Sequence, residues 1–195
     1  LVVTLGSTSV ASGIAFMLTN GIPIYGLPAT FVESLGRTLH LGLPNAVWVA
    51  IVIVVALVLL QRHTSYGPRL TATGDNLHSA KVSGIATHRY IVSAYVCSSL
   101  FASLASLLLT AQIGSGQSSI GERIAVESIA AAVIGGVSIR GGYGRPEHVV
   151  AGTLLLILVG NIMDLLQMNS RLQMVILGLL VIMVAGVSAY RARRA

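Results

Sequence analysis

The chain has 195 residues, of which 54% are hydrophobic and only 9% are charged, and its mean hydropathy is +0.85. This composition excludes a water-soluble domain and predicts an integral membrane protein. The formal net charge of +6 does not indicate nucleic-acid binding, because the basic residues flank hydrophobic runs instead of lining one exposed face. The single cysteine, Cys97, excludes an internal disulfide and a thiolate metal site.

The first apolar segments are predicted to span the membrane at residues 1–18 and 45–61, the second with Trp48 as an interface anchor. The chain begins inside an apolar run at Leu1, without a start methionine or signal peptide, so we expect N-terminal spans to be missing. The connection at 20–44 contains prolines and an amphipathic stretch at 31–41. It is therefore expected to lie at the membrane interface.

A third span is predicted at residues 90–110, where small residues recur at every fourth position. Such a stripe permits close helix contact in lipid and indicates a bundle without identifying a partner. The stripe consists of Ala94, Ser98, Ala102, Ser106 and Thr110.

The segment at 127–145 is too short in its apolar part for an ordinary span, and its glycine pairs, at 135–136 and 141–142, are expected to break it. Interrupted helices at membrane depth occur where the backbone lines a cavity or is buried in protein. Two further spans, at 149–167 and 171–188, are joined by so short a connector that they must form an antiparallel hairpin.

The basic residues predict the orientation. If residues 62–90 form a cytoplasmic loop, segments 19–44 and 111–125 lie outside, the broken segment crosses, and Arg140, Arg145 and the basic C-terminal tail lie inside. This assignment requires the broken segment to cross the membrane.

The polar loop at 62–90 is long for a simple connector, which indicates an interaction in the cytoplasm. Asp75 or Asn76 is expected to cap a short helix that ends near Gly84. The small residues Ser79, Ala80 and Ser83 would leave one face of that helix low enough to enter a groove on a partner.

Known catalytic patterns do not occur in the sequence. The single lysine, Lys81, is not in a P-loop, the histidines lack ligand spacing, and no nucleophile or acid–base pair is placed for catalysis. We therefore expect no metal site, no bound cofactor and no enzymatic activity. Glu127 and Asp164 fall in or beside apolar segments, either as functional groups or as a helix-dipole partner and an interface residue.

The stretch "YGPRLTATGDNLHSAKVSGI" resembles the coupling-helix region of permease subunits in ribose-type carbohydrate ABC importers, within the branched-chain amino-acid and sugar permease superfamily. The resemblance continues through "SGIAFMLTNGIPIYGLP", "AQIGSGQSSIGERIAVESIAAAVIGGVSIRGGYG" and "LQMVILGLLVIM", and so covers essentially the whole chain. It implies an all-α fold, the C-terminal part of a type II, vitamin B12 importer-like permease bundle with a broken helix. The whole chain, 1–195, would form one transmembrane domain, with 62–90 as its coupling loop.

The resemblance also implies which residues couple the chain to an ATPase and which lie along the translocation path. The coupling motif matches Gly74, Asn76, Ala80, Ser83, Gly84 and Ile85. The second signature matches Ile129, Ala130, Ala131, Val133, Gly135, Gly136, Ser138, Gly141, Gly142 and Gly144. Expected along the translocation path are Glu127, Ala131, Gly135, Gly136, Ser138 and Asn161.

The sequence departs from the family pattern at three places. Leu77 and His78 replace a common Pro-Glu pair, Pro68 replaces an arginine, and "RPEH" at 145–148 replaces small apolar residues. We expect these changes to affect docking of the coupling helix and the start of the following span.

The resemblance implies the transmembrane subunit of an importer in the bacterial inner membrane that moves a sugar or similar polar solute. ATP would bind to a separate ATPase subunit, and the other partners would be a second permease copy or paralogue, an extracytoplasmic solute-binding protein and the lipid bilayer. A pentose, a hexose and an autoinducer sugar are not distinguished. The alternatives are a branched-chain amino-acid permease, an ion-coupled transporter using Glu127 or Asp164, and a fragment without transport of its own.

Overall fold

The computed structural model describes residues 2–40, 42–118, 120–138 and 141–169, with isolated positions between 172 and 186. The described helices are α1 Val2–Thr19, α2 Ala29–Phe31, α3 Asn45–His63, α4 Tyr66–Asp75, α5 Leu77–Val82, α6 Thr87–Ile113, α7 Ile120–Ile134 and α8 Pro146–Leu165. A π-helical turn, Val32–Arg37, follows α2, and β1 Leu39–His40 pairs antiparallel with β2 Leu43–Pro44. The predicted all-α class is confirmed.

Three helices in the described part of the chain are long and apolar enough to cross a membrane: α3, α6 and α8. They confirm the spans predicted at 45–61, 90–110 and 149–167, each with slightly different ends. The chain is therefore a multi-pass membrane protein. The first predicted segment is helical as α1. The span predicted at 171–188 falls largely outside the described residues, as do Arg140 and the basic C-terminal tail.

The chain divides into two compact units, Leu1–Ile53 with Ala94–Ala125, and Val54–Ser93 with Val126–Ala195. In the first unit, Ile24 and Gly116 exchange two backbone hydrogen bonds, of 2.9 and 3.0 Å. A Cβ added at Gly36 would also collide with the carbonyl group of Ala111. These contacts join the two segments, 19–44 and 111–125, that were predicted to share the outer side.

The second unit contains the predicted break. Helix α7 ends at Ile134, where the amides of Gly136 and Val137 bond to the carbonyl oxygens of Val133 and Ala132 at 2.9 and 3.0 Å. This pair of bonds is the Schellman pattern that ends helices. Helical structure resumes at Pro146. With 15 residues α7 is about 22 Å long, shorter than a membrane core of about 30 Å, so the prediction of an interrupted helix is confirmed.

The start of α8 corrects one expectation. The "RPEH" stretch was expected to disturb the following span, yet Pro146 occupies the first turn of α8 and Glu147 adds a carboxylate there. Proline suits a first helical turn because no amide donor is needed, and a carboxylate is favoured by the helix dipole. The stretch therefore starts the span three residues earlier than predicted.

The polar loop is shorter and more helical than predicted. Between the end of α3 and the start of α6 only residues 64–86 remain, and α4 and α5 occupy most of them. Helix α4 was not predicted from the sequence. Pro68 looked like a departure from a motif, but it lies in the first turn of α4, where a proline is tolerated.

Candidate functional site

Helix α5 is fixed at its beginning by one side chain. Asn76 adopts an extended backbone conformation, and its Oδ1 accepts hydrogen bonds from the amides of His78 and Ser79, each at 3.0 Å. These bonds satisfy amides that otherwise lack a partner at a helix start, which stabilises a helix by about 1 kcal/mol. Of the two caps predicted, the structure selects Asn76.

The end of α5 is fixed by its backbone. Gly84 has a φ of +77°, a conformation that glycine adopts readily. The amide of Gly84 bonds to the carbonyl oxygen of Lys81, and the amide of Ile85 to that of Ala80, both at 3.0 Å. This is again a Schellman pattern, which confirms that the helix ends near Gly84.

The exposed face of α5 differs from the predicted one. Ala80 is only 3% exposed, so it packs inside the chain and does not belong to a partner-facing surface with Ser79 and Ser83. The exposed side chains include two apolar ones, Val82 at 77% and Leu77 at 44% exposure. We define the outer face of α5 as Leu77, His78, Lys81 and Val82, which are all exposed and share one side at helical spacing.

The two signature motifs meet through their glycines. A Cβ added at Gly74 would lie 2.8 Å from the amide nitrogen of Gly142, and one added at Gly141 would lie 2.7 Å from the carbonyl oxygen of Gly74. A Cβ at Gly142 would lie 2.8 Å from the Cα of Asp75. We call this the glycine contact. The backbone just before α5 therefore touches the loop between α7 and α8 so closely that only glycine fits.

Polar contacts hold the same loop to neighbouring helices. Gln61, near the end of α3, donates a hydrogen bond from Nε2 to the carbonyl oxygen of Gly144 at 2.6 Å. Within the loop, the amide of Ser138 bonds to the carbonyl oxygen of Tyr143 at 2.9 Å. The loop at 141–144 therefore contacts residue 61 and residues 74–75, which places it beside the polar loop.

An ion pair lies beside these contacts. Arg62 at the end of α3 and Glu147 in the first turn of α8 approach to 2.5 Å, with side chains 59% and 35% exposed. The pair joins the ends of two candidate spans in the same unit, and its solvent exposure indicates a modest energy.

Two of the residues expected along a translocation path instead serve helix packing. A Cβ at Gly152 of α8 would collide with the carbonyl oxygen of Ala131, and one at Gly135 would lie 2.5 Å from the carbonyl oxygen of His148. Ala131 is 5% exposed, and its burial is explained by this close crossing of α7 and α8. Within this chain, Ala131 and Gly135 therefore do not face an open path.

The remaining path candidates lie apart from that crossing. Glu127 is half-buried on α7, Ser138 is half-buried in the loop, and Gly136 and Asn161 are exposed. Asp164 is also exposed, and its Oδ1 accepts a hydrogen bond from Gln173 at 2.7 Å. Among the described residues, no group of three His, Cys, Asp or Glu side chains is placed to hold a metal ion.

Comparison with known proteins identifies a family. The family described as "Branched-chain amino acid transport system / permease component" matches residues 1–185. The chain belongs to this permease family. No solved structure gives a significant match.

Relatives within the family have more specific names. The chain is 33% identical over 184 residues to the L-arabinose transport system permease protein AraH of Escherichia coli K12, covering 93% of this chain and 55% of that protein. It is 34% identical over 183 residues to the ribose import permease protein RbsC of Bacillus subtilis 168, covering 93% and 56%. It is 33% identical over 168 residues to the autoinducer 2 import system permease protein LsrC of Yersinia enterocolitica, covering 86% and 46%. This permease-family chain thus spans about half the length of these relatives. The names of the relatives favour the resemblance to carbohydrate permeases over the resemblance to branched-chain amino-acid permeases.

Proposed function

We propose that this chain is part of the transmembrane subunit of an ATP-driven importer that carries a sugar or a similar polar solute across the bacterial inner membrane. The proposal is supported by the family match and by relatives named for L-arabinose, ribose and autoinducer 2. The observation that carries it is the capped helix α5, which exposes an outer face while the glycine contact ties its base to the loop before α8.

The outer face of α5 has the features of a docking surface. Val82 and Leu77 present apolar side chains outside the candidate spans, and Lys81 and His78 lie beside them. Exposed apolar side chains with a polar rim are typical of protein interfaces. In this proposal the face enters a cleft of a separate ATPase subunit, and Asn76, Ala80, Gly84 and Ile85 give the helix its shape.

Movement of α5 would reach the membrane through the glycine contact. A contact between two backbones is stiff, because no flexible side chain separates them. ATP binding would favour one permease state over the other by its different affinity for the two, and α5 would move as a rigid body with the loop at 141–144. Glu127, Gly136, Ser138 and Asn161 stay our candidates for residues beside the translocation path.

In this proposal, the permease and the ATPase are separate subunits, and catalysis takes place in the ATPase. ATP would be bound and hydrolysed by the partner ATPase, so the chain itself would be a transport subunit that needs no cofactor. The other proposed partners are a second permease copy or paralogue and an extracytoplasmic solute-binding protein.

The experiment is co-purification of the permease with the ATPase encoded nearest to it, for wild type, Val82→Asp and Thr64→Asp. Val82 is 77% exposed, so the substitution leaves the packing of the chain intact and places a charge on the outer face. Thr64 is an exposed residue of the same loop, outside the outer face of α5. Its Oγ1 accepts from the amide of Tyr66 at 3.2 Å, a bond that aspartate retains, and donates to the carbonyl oxygen of Leu60, an exposed bond that aspartate loses. We expect Val82→Asp to weaken association at least about tenfold, as for an interface anchor, and Thr64→Asp to retain it.

Equal association of all three proteins would contradict docking through α5. An ATPase that binds none of them, together with solute uptake driven by a proton gradient alone, would favour an ion-coupled transporter instead. Replacing Ala80 with glutamate is not a useful test, because Ala80 is buried and the change would disturb the loop itself.

A further inference from the structure

A cavity of about 510 Å³ lies between α4, the end of α5 and the start of α6. Its lining combines basic, aromatic and hydroxyl side chains, chiefly Tyr66, Arg69, Arg89, Tyr90 and Ser93, and the turn at 83–86 closes one side. All of these residues lie in one compact unit. The outer face of α5 contributes none of the lining, so the cavity is distinct from the proposed docking surface.

Four polar side chains of the cavity, those of Tyr66, Arg69, Tyr90 and Ser93, are held by contacts with one another. The hydroxyl groups of Tyr66 and Ser93 are hydrogen-bonded at 2.6 Å, and Nη1 of Arg69 donates to the hydroxyl oxygen of Tyr90 at 3.4 Å. The rings of Tyr66 and Tyr90 pack with their centres 5.5 Å apart. The cavity wall is therefore organised before any ligand arrives.

The charge of this cavity is not balanced within the described part of the chain. Two guanidinium groups line it without any carboxylate in the lining, and neither pairs with a described acidic residue within 4.0 Å. Arg89 also lies in the first turn of α6, which contains no acidic residue. A cation is unfavourable there, because the start of a helix already carries partial positive charge. A bound anion would offset both effects.

The location of the cavity indicates which anion. Helix α6 is a candidate membrane span of 27 residues, and Arg89 and Tyr90 lie at its first turn. Tyrosine and arginine at the end of a span lie at the level of lipid headgroups, and basic pockets on the cytoplasmic side bind anionic ones. We infer that this cavity binds the phosphate of an anionic phospholipid from the cytoplasmic leaflet. The inference needs only the membrane topology, and it holds or fails separately from ATP-driven transport.

The test is lipid retention by the purified permease in detergent, measured by native mass spectrometry after exposure to an equal mixture of phosphatidylglycerol and phosphatidylcholine. We expect wild type to retain phosphatidylglycerol preferentially. Arg69→Gln with Arg89→Gln should lower that preference by about fivefold for each charge removed. The double variant Arg69→Lys with Arg89→Lys should keep most of the preference for phosphatidylglycerol, because both charges remain. Its retention of lipid would show that substitution at these two positions leaves the fold intact. Arg145→Gln, which removes an exposed cation of the same unit outside the cavity and outside the outer face of α5, is the matched control.

Three results would overturn the inference. Equal lipid preference in wild type and the double glutamine variant would exclude the cavity as the site. Displacement of the lipid by millimolar inorganic phosphate would assign the cavity to a soluble phosphate instead. If the double glutamine variant retains the lipid as wild type does but no longer co-purifies with the ATPase, the cavity binds an acidic group of that partner protein instead.

Discussion

The crossing of α7 and α8 and the long helices α3 and α6 follow different packing rules. At the crossing, Gly135 and Gly152 bring two backbones together, and Ala130, Ala131 and Val133 are buried. The most apolar windows of α3 and α6 have no buried residue within this chain. Hydrophobicity does not bring helices together in lipid, whereas small residues that permit backbone contact do. The difference shows that apolar character predicts where a helix spans, and that small residues permit a close contact with another helix.

Helix α6 limits that rule. Its stripe of small residues was expected to pack, yet Ser98, Ala102 and Ser106 are exposed within this chain. Small residues permit close contact without supplying the second helix. Gly152 of α8 contacts α7, because the short connection between the two helices brings them together.

The largest expected effect is at the α7–α8 crossing. Gly152→Ala places a Cβ against the carbonyl oxygen of Ala131, so we expect a loss of about 1–3 kcal/mol or more in the free energy of unfolding. Gly160→Ala on the same helix is the control, because nothing lies within 4 Å of an added Cβ and alanine favours a helix. Thermal unfolding in detergent, followed by size-exclusion chromatography, should show a lower midpoint for the first variant only. Equal midpoints would refute the close crossing.

The glycine contact provides a second matched pair. Gly142 and Gly136 have φ values of +77° and +76°, so alanine at either position meets the same backbone strain of about 1–2 kcal/mol. Only at Gly142 does the new Cβ also collide with a neighbour, Asp75, whereas nothing lies within 4 Å at Gly136. If the chain couples to an ATPase as proposed, we expect Gly142→Ala to abolish stimulation of that ATPase while retaining its binding, and Gly136→Ala to keep at least part of the stimulation. Similar loss in both would attribute the effect to strain alone.

A smaller effect is expected at the start of α5. Asn76→Ala removes the side-chain cap and should destabilise the helix by about 1 kcal/mol, which is about fivefold faster hydrogen exchange of its amides. Asn76→Ser should retain most of the protection, because serine also caps helices. Unchanged exchange in Asn76→Ala would mean that tertiary contacts alone hold α5.

The smallest effect is expected for the ion pair between Arg62 and Glu147. Both side chains are more than a third exposed, so a double-mutant cycle with glutamine at each position should give about 0.2–1 kcal/mol. The coupling energy should fall as salt is raised, because screening weakens exposed pairs. A coupling energy above that range that does not change with salt would show that the pair contributes substantially to holding α3 against α8.

The sequence by itself determined the membrane class, three of the spans, the interruption after Ile134, the end of α5 near Gly84, and its start to within the choice of Asp75 or Asn76. Each of these depends on local rules: the length of an apolar run, a side chain that caps an amide, and a glycine that accepts a positive φ. The helix α4 was missed because a proline and two glycines in ten residues favour a loop unless the surrounding structure supports them.

Only the tertiary structure decided which glycines make contacts. In the sequence, Gly74 belongs to a motif, Gly142 to a predicted helix break, and Gly152 to a predicted span. The close approaches of these glycines join residues far apart along the chain. The burial of Ala80 and the position of Ala131 in a helix crossing were likewise settled by neighbours that no local pattern specifies. A missing side chain can allow either a turn or a contact, and the choice depends on which backbone the fold places opposite it.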